Sequence, residues 1–267
     1  MIKLGIFGFN ALDMKYFFLI AGIFLLLNCQ GDQNNEITED VNNELPDTTD
    51  IIDEDTTEIV EEYIIDTLEQ TIIDAGLINI QDVDPRILVE LKYSTTDNFM
   101  EKDMYGHMTR AYLQPSVAED LKLCQDYLQE KDSNLTLLVY DAVRPRSVQQ
   151  YMWDILDMPI WEKTKFVSNP ANGSVHNYGC AIDLTIANLD GTPLDMGAGY
   201  DDARKIAYPR YEQAYLDSGM LSLEQIENRK LLRETMKAGG FWNIQTEWWH
   251  FNRYSRSTAK TMFDIVE

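Results

Sequence analysis

The 267-residue sequence predicts an α+β fold in which helices pack on a mostly antiparallel central sheet. Residues 115–128 (PSVAEDLKLCQDYL) repeat apolar residues at helical spacing, after a proline suited to a first helical turn. Residues 135–142 (LTLLVYDA) form a short β-rich run that is typical of a buried strand. Helices and strands then alternate without a regular strand–helix–strand rhythm, which favours a mixed fold over a parallel sheet.

The other elements follow from the same two periodicities. Helical spacing recurs in residues 146–156 (RSVQQYMWDIL) and 221–238, and the second of these helices ends at Gly239-Gly240. Strand patterns recur in four further segments: 77–94, which also fits a strand and a turn, 180–188, 241–245 and 248–253. A turn is predicted after the second of these, at Asp190-Gly191.

Residues 1–29 resemble the signal segment of a bacterial lipoprotein. Lys15 precedes an apolar run of about a dozen residues, shorter than the roughly 20 that a membrane-spanning helix needs. Cys29 follows this run in LLLNC, where the lipid-bearing cysteine of a lipobox stands. An uncleaved membrane anchor is the alternative. Both alternatives predict an exported protein, and the first predicts attachment to a membrane of the cell envelope through a lipid on Cys29.

Residues 30–72 are predicted to form a disordered acidic tether between this anchor and a folded domain at 73–267. The stretch 31–72 has fifteen Asp or Glu residues and no Lys or Arg, and its few apolar residues cannot offset the entropy lost on ordering. The net charge of the whole chain is −23. Such a charge argues against nucleic acid as a partner, because nucleic acid binding needs a basic surface.

Three histidines are candidates for chemistry. His107 lies in a polar stretch and is expected on the surface. His176 is followed by Asp183 in SVHNYGCAID, and His250 is preceded by Glu247 in EWWH. A hydrolytic zinc site takes three His or carboxylate ligands and keeps one open position. Spacing alone leaves two interpretations open, a metal site and ordinary hydrogen-bonded core histidines.

The complete pattern S-x-H-x-x-G-x-A-x-D, followed by E-x-x-H, resembles the zinc peptidases of the D-alanyl-D-alanine family. This family includes the VanX-type dipeptidases and the D,D-carboxypeptidases. The resemblance implies one Zn²⁺ per chain, held by His176, Asp183 and His250, with Glu247 as the general base. It extends over residues 78–254 through four further blocks: LKYSTTDNF (91–99), AYLQPSVAEDL (111–121), YDAVRP (140–145) and MGAGYD (196–201).

The same resemblance assigns four more site residues. Arg144 is the catalytic arginine facing the oxyanion, Asp201 meets the free amino group of the substrate, Ser174 helps to bind that amino end, and Trp248 forms a wall of the pocket. The residues alone also fit simpler roles: a surface salt bridge for Arg144, a helix cap for Asp201 and a turn cap for Ser174. By alternation only one of Trp248 and Trp249 faces the pocket.

The resemblance implies hydrolysis of the dipeptide D-Ala-D-Ala by a metal-activated water. Asp201 and the LKYSTTDNF block favour a closed, dipeptide-sized pocket, and export favours recycling of cell-wall fragments. Two alternatives are a D,D-carboxypeptidase that trims peptidoglycan stems and a lipoprotein that binds wall peptide without catalysis. Cys124 and Cys180 are expected to be buried and unpaired.

Overall fold

The computed structural model describes residues 65–267. The helices of this part of the chain are α1 (Thr67–Asp74), α2 (Ile80–Val83), α3 (Pro115–Lys131), α4 (Arg146–Ile155), α5 (Ile160–Lys163), α6 (Glu212–Asp217), α7 (Leu223–Ala238) and α8 (Arg256–Met262). Its strands are β1 (Ile78–Asn79), β2 (Leu88–Val89), β3 (Tyr112–Leu113), β4 (Leu135–Asp141), β5 (Ala181–Asn188), β6 (Trp242–Asn243) and β7 (His250–Asn252). The predicted α+β class is confirmed.

A five-stranded sheet with the order β2-β4-β5-β7-β6 forms the centre of the described chain. Only β2 and β4 are parallel, and all other neighbours are antiparallel, as predicted. The long strands β4 and β5 are buried along almost their whole length. A sheet of this kind places side chains from sequence-distant strands opposite one another, and here it places Asp183 opposite His250.

Helices cover the sheet with the faces that the sequence predicts. In α3 the apolar positions Val117, Leu121, Cys124 and Leu128 are all buried, and the helix packs against β4 and α7. Helix α7 begins at Leu223 because the Ser222 side chain accepts a hydrogen bond from the Gln225 backbone and the Gln225 side chain accepts one from the Ser222 backbone.

Helix α1 takes in residues 67–72, which the sequence analysis assigned to the tether. Asp66 caps this helix, Ile72 is fully buried, and the buried Glu69 carboxylate accepts hydrogen bonds from the Tyr112 hydroxyl and Arg110 Nε. The acidic composition concealed the helix, because the partners that compensate Glu69 lie far along the chain. The predicted signal segment, with Cys29, and the rest of the tether lie outside the described residues.

Two further properties concern residues 65–267 as a whole. No helix in this range combines the length and the apolar character that crossing a bilayer requires.

Cys124 and Cys180 are both buried and free, as predicted. Burial raises the pKa of each thiol to about 12, so neither is a reactive thiolate near neutral pH.

Candidate metal centre

Two sheet strands and one tight turn bring the predicted metal ligands together. Asp183 in β5 and His250 in β7 are direct partners in the antiparallel ladder. His176 begins a 3-10 turn that ends at Gly179, which has a φ of 63°. A Cβ at Gly179 would lie 2.7 Å from Leu77 Cδ2, so this position needs glycine both for its backbone and for its close packing.

The three ligand atoms form a nearly equilateral triangle. His176 Nε2 lies 3.1 Å from His250 Nδ1 and 3.4 Å from Asp183 Oδ1, and His250 Nδ1 lies 2.9 Å from Asp183 Oδ1. Ligands about 2.0–2.2 Å from a tetrahedral ion are about 3.3–3.6 Å apart, so these spacings are close to those that one ion at the centre needs. Within the described chain, this is the group of His, Cys, Asp and Glu side chains with metal-binding geometry.

The hydrogen bonds behind these atoms direct three lone pairs at one point. His176 Nδ1 lies 2.6 Å from the Ala142 carbonyl oxygen, which only accepts, so Nδ1 carries the proton and Nε2 has the lone pair. His250 Nε2 likewise donates to Asn252 Oδ1 at 3.1 Å, which leaves the lone pair on Nδ1. With the Asp183 carboxylate, the cluster has three acceptors and requires a cation between them.

The side chains next to the ligands hold them in this arrangement. Asp183 Oδ2 accepts a hydrogen bond of 3.2 Å from the Tyr200 hydroxyl, which leaves Oδ1 facing the two imidazoles. Burial lowers the pKa of His250, but the hydrogen bond and charge of Asp183 outweigh burial and raise that pKa to about 9. The cluster therefore attracts positive charge strongly, whether as a proton or as a metal ion.

Glu247 lies beside the ligand triangle without being part of it. Its Oε2 is 3.9 Å from His250 Nδ1, and 34% of its side chain is exposed to the cavity that contains the ligands. Burial raises the pKa of Glu247 above its ordinary value, although His250 acts in the opposite direction. A carboxylate with a raised pKa accepts and returns a proton near neutral pH more readily than an ordinary one.

Arg144 follows β4 and is buried, so the surface salt bridge that the residues alone allowed is wrong. Its Nε and Nη2 donate to Asp141 Oδ2 at 3.0 and 2.5 Å, and Nη2 is 3.7 Å from Asp183 Oδ2. Asp141, fully buried, also accepts a 2.6 Å hydrogen bond from the Tyr105 hydroxyl. Asp141 was not among the residues predicted from the sequence, although a carboxylate three residues before a predicted catalytic arginine is a signal for its partner.

Asp201 lies in the cavity in a left-handed backbone conformation, with a φ of 59°. Its Oδ2 accepts hydrogen bonds from the Tyr93 hydroxyl at 3.1 Å and the Phe99 backbone at 3.5 Å. The next helical turn is preceded by Arg204, so Asp201 caps no helix. Burial and the nearby Asp183 raise the pKa of Asp201 to about 8. Asp201 is half-buried in a strained conformation, and residues 65–267 place no cation within 4 Å of it, so it suits a cationic group of a ligand.

Ser174 borders the same cavity but belongs to a different network from Asp201. Its Oγ donates to Gln149 Oε1 at 2.8 Å, and its backbone N–H donates to Asn177 Oδ1 at 2.6 Å. Asn177 in turn donates to the Arg144 carbonyl at 2.7 Å. Gln149 and Asn177 are fully buried and were not identified from the sequence. They connect the Ser174 turn to the backbone of the predicted catalytic arginine, Arg144.

The tryptophan assigned to the pocket wall is wrong by one position. Both tryptophans are buried, but Trp249 lines the cavity, whereas Trp248 does not and its Nε1 donates to the Ala198 carbonyl at 3.1 Å. This hydrogen bond gives the buried indole N–H of Trp248 a partner in the loop that carries Asp201. The alternation argument, that only one of the two tryptophans faces the pocket, agrees with the structure.

The cavity around these residues has a volume of about 620 Å³. Its lining includes the partly exposed rings of Phe166 and Trp242 and the cations Lys165 and Arg256. His107 is exposed and does not line it, as expected for a surface histidine. Cys180 also lies outside the lining, and its Sγ is directed at the Tyr178 carbonyl.

The chain is similar to known proteins over most of its described residues. A family model described as D-ala-D-ala dipeptidase (Peptidase_M15) matches residues 73–267. The D-alanyl-D-alanine dipeptidase of Escherichia coli K12 is 34% identical over 175 residues, which cover 66% of this chain and 83% of that protein. The D-alanyl-D-alanine dipeptidase of Enterococcus faecium is 28% identical over 194 residues, covering 66% and 90%.

Among solved structures, the LdcB LD-carboxypeptidase, whose structure concerns peptidoglycan recognition, is 18% identical to this chain. The TM-score is 0.34, and the match covers 57% of this chain and 63% of that one. The similarity is low in sequence and in fold.

Proposed function

The chain belongs to the M15 peptidase family of D-Ala-D-Ala dipeptidases, and on this premise we propose that it hydrolyses the free dipeptide D-Ala-D-Ala with one bound Zn²⁺. The observation that carries the proposal is the triangle of His176, Asp183 and His250 atoms, with edges of 2.9–3.4 Å and Glu247 beside it. Two imidazoles, one carboxylate and a neighbouring acid make up the set that a hydrolytic zinc site needs.

A zinc ion held by these three residues would polarise the scissile carbonyl and lower the pKa of water. Glu247 accepts the proton of the attacking water on its carboxylate and then donates it to the nitrogen of the leaving amine. Its raised pKa suits both halves of this transfer. The products are two molecules of D-alanine.

Arg144 stabilises the negative charge that develops on the carbonyl oxygen. Asp141 fixes the guanidinium from one side, and the Tyr93 ring lies 4.9 Å from its central carbon. Burial acts to lower the pKa of Arg144, but Asp141 and the surrounding tyrosines raise it well above its usual value, so the charge is permanent. A donor already held in place costs no reorganisation when the charge appears.

Asp201 provides the recognition of the free amino group. An ammonium within reach of Asp201 Oδ2 would supply the cation that this half-buried carboxylate lacks. The same pairing disfavours peptides whose amino group has been acylated, because a neutral amide has no positive charge to pair with the Asp201 carboxylate. This preference is what distinguishes a dipeptidase from an enzyme that acts on long stems.

A D,D-carboxypeptidase is the second candidate, favoured by the size of the cavity. About 620 Å³ lies within the range of roughly 300–1,000 Å³ that drug-sized ligands occupy, and a dipeptide of two alanines is smaller than such ligands. Exposed rings at Phe166 and Trp242 provide further contact area. Binding without catalysis is not favoured, because a pure binding protein has no use for the Glu247 carboxylate beside the ligand triangle.

Substrate ranking separates the two enzymes. We expect D-Ala release from free D-Ala-D-Ala to exceed release from N-acetyl-D-Ala-D-Ala by about 100-fold, since acylation removes a charge-assisted hydrogen bond to Asp201 that contributes up to about 3 kcal/mol. A peptidoglycan pentapeptide should be cleaved as slowly as the acetylated dipeptide. The measurement is kcat/KM for the three substrates on one zinc-loaded preparation. A pentapeptide cleaved faster than the free dipeptide would assign the chain to the carboxypeptidases.

We also propose that the protein works outside the cytoplasm, held in the cell envelope by a lipid on Cys29, where it recycles wall fragments. The lipobox-like LLLNC sequence supports this proposal. The full-length protein should partition into the detergent phase of a Triton X-114 extract, whereas Cys29→Ser should move to the aqueous phase. A variant that remains in the detergent phase would favour an uncleaved apolar anchor instead of lipidation.

A further inference from the structure

The cavity has a cation whose charge the described chain does not neutralise. Three cationic side chains line it: Arg144, Lys165 and Arg256. Arg144 is bound to Asp141. Lys165 Nζ lies 3.9 Å from Glu162 and 5.0 Å from the centre of the Trp161 ring. For Arg256, residues 65–267 provide a backbone carbonyl and no carboxylate as a partner.

The backbone fixes Arg256 beside the loop that carries a metal ligand. Arg256 is the first residue of α8, and its Nη1 donates a 3.2 Å hydrogen bond to the carbonyl of Gly173. Gly173 immediately precedes Ser174, and His176 follows two residues later on the same loop. Since a guanidinium has five N–H donors, this contact leaves donors to face the cavity.

The chemistry of the substrate requires a second charged contact. A free dipeptide is a zwitterion, so a site that binds it meets one ammonium and one carboxylate. Asp201 is assigned to the ammonium, and Arg144 is engaged by Asp141 and directed at the reacting carbonyl. A carboxylate brought into the cavity without a cation would lose its hydration and gain nothing in return. The assignments made so far therefore leave the C-terminal carboxylate without a partner.

We propose that Arg256 binds the C-terminal carboxylate of the substrate and is the residue that restricts the enzyme to peptides with a free C-terminus. The inference rests on the proposed peptidase function, but it holds for both the dipeptidase and the carboxypeptidase, since both act at a free C-terminus. Arg256 binds through a charge-assisted, fork-shaped contact to the two carboxylate oxygens. It is a specificity-determining residue, distinct from the groups that move protons.

Binding to a hydrolysis-deficient background tests this role without turnover. Zinc-loaded Glu247→Ala and Glu247→Ala/Arg256→Ala proteins are titrated calorimetrically with D-Ala-D-Ala and with D-alanyl-D-alaninamide, which lacks only the carboxylate charge. We expect Arg256→Ala to weaken dipeptide binding about tenfold and to leave amide binding unchanged. Arg256→Lys should restore part of the loss, because it keeps the charge and not the fork.

Two matched variants in the same background control for charge and for the other cation of the cavity. Lys260→Ala removes an exposed cation from the same helix α8 and should not change dipeptide binding. Lys165→Ala tests the alternative anchor. A loss of dipeptide affinity in Lys165→Ala and not in Arg256→Ala would overturn the inference, as would equal losses for dipeptide and amide.

A parallel activity measurement distinguishes failure of the Arg256 site from failure of the proposed peptidase function. D-Ala release by the wild-type protein is measured in parallel. Arg256-dependent binding without any release would contradict the peptidase function and retain the carboxylate site. D-Ala release by the wild-type protein, together with dipeptide affinity that Arg256→Ala does not change, would retain the peptidase function and overturn the carboxylate site. Absence of dipeptide binding in the Glu247→Ala background would overturn the site as well.

Discussion

Replacing Glu247 by alanine is expected to reduce hydrolysis of D-Ala-D-Ala by about 10²–10⁴-fold, the usual contribution of a positioned general base. Zinc content should stay at about one ion per chain, since the proposed metal ligands are His176, Asp183 and His250. The reason is geometric. Glu247 Oε2 is 3.9 Å from His250 Nδ1, outside the triangle whose edges are 2.9–3.4 Å but close enough to reach a water within the site.

The measurement is kcat for D-Ala-D-Ala together with metal analysis of the same preparation. Glu247→Gln should be as inactive as Glu247→Ala, because it keeps the size of the side chain and loses its basicity. Glu234→Ala, which removes an exposed carboxylate from α7, serves as the matched control and should retain full activity. Unchanged turnover in Glu247→Ala would exclude Glu247 from proton transfer. Loss of zinc together with activity would make it a ligand.

The sequence was sufficient to predict the fold class, most of the local elements and three candidate metal ligands that the fold brings together. Amphipathic spacing predicted α3 and α7, and alternation predicted β5, because both signals depend on residues close together in the chain. The pairing of Asp183 with His250 depends on a strand register across 67 residues, which no local pattern encodes. Only the resemblance to a family connected these two residues before the fold was known.

The errors of prediction have the same physical origin. The sequence pattern does not distinguish Trp248 from Trp249 as the residue that faces the cavity. The hydrogen bond from Trp248 to the Ala198 carbonyl, 50 residues away, holds Trp248 away from it. Helix α1 was assigned to the tether because Glu69 looks like one more solvated acid. Its buried position is possible only because Tyr112 and Arg110, distant in sequence, donate to it.

Asp141 was missed for a related reason. Its partner Arg144 lies only three residues away, but its second partner, Tyr105, lies 36 residues away, and only the fold shows that one buried carboxylate binds both. The sequence thus predicted the groups that are proposed to carry out the reaction and not the groups that orient them. Orienting residues act through contacts that lie behind the reacting atoms, and such contacts are long-range in most folds.

Replacing His176 by alanine is expected to remove the bound zinc and with it the hydrolysis of D-Ala-D-Ala. Loss of even the hydrogen-bond partner of a ligand weakens metal affinity by about 10–100-fold, so loss of one of three ligands should exceed that range. His250 Nδ1 and Asp183 Oδ1 remain 2.9 Å apart in a hydrogen-bonded pair, so the sheet register should survive. Metal analysis after dialysis should find about one zinc per wild-type chain and none in the variant.

Thermal melting shows whether the missing ion, and not misfolding, causes the loss. A chelator should lower the melting temperature of the wild-type protein, because an ion bound only by the folded state stabilises it. The same chelator should leave the melting temperature of His176→Ala unchanged. His107→Ala, which removes an exposed histidine away from the cavity, is the matched control and should bind zinc and respond to the chelator like the wild type. A His176→Ala protein that retained its full zinc would show that the ion is held elsewhere, and the triangle of His176, Asp183 and His250 would then be a hydrogen-bonded core cluster.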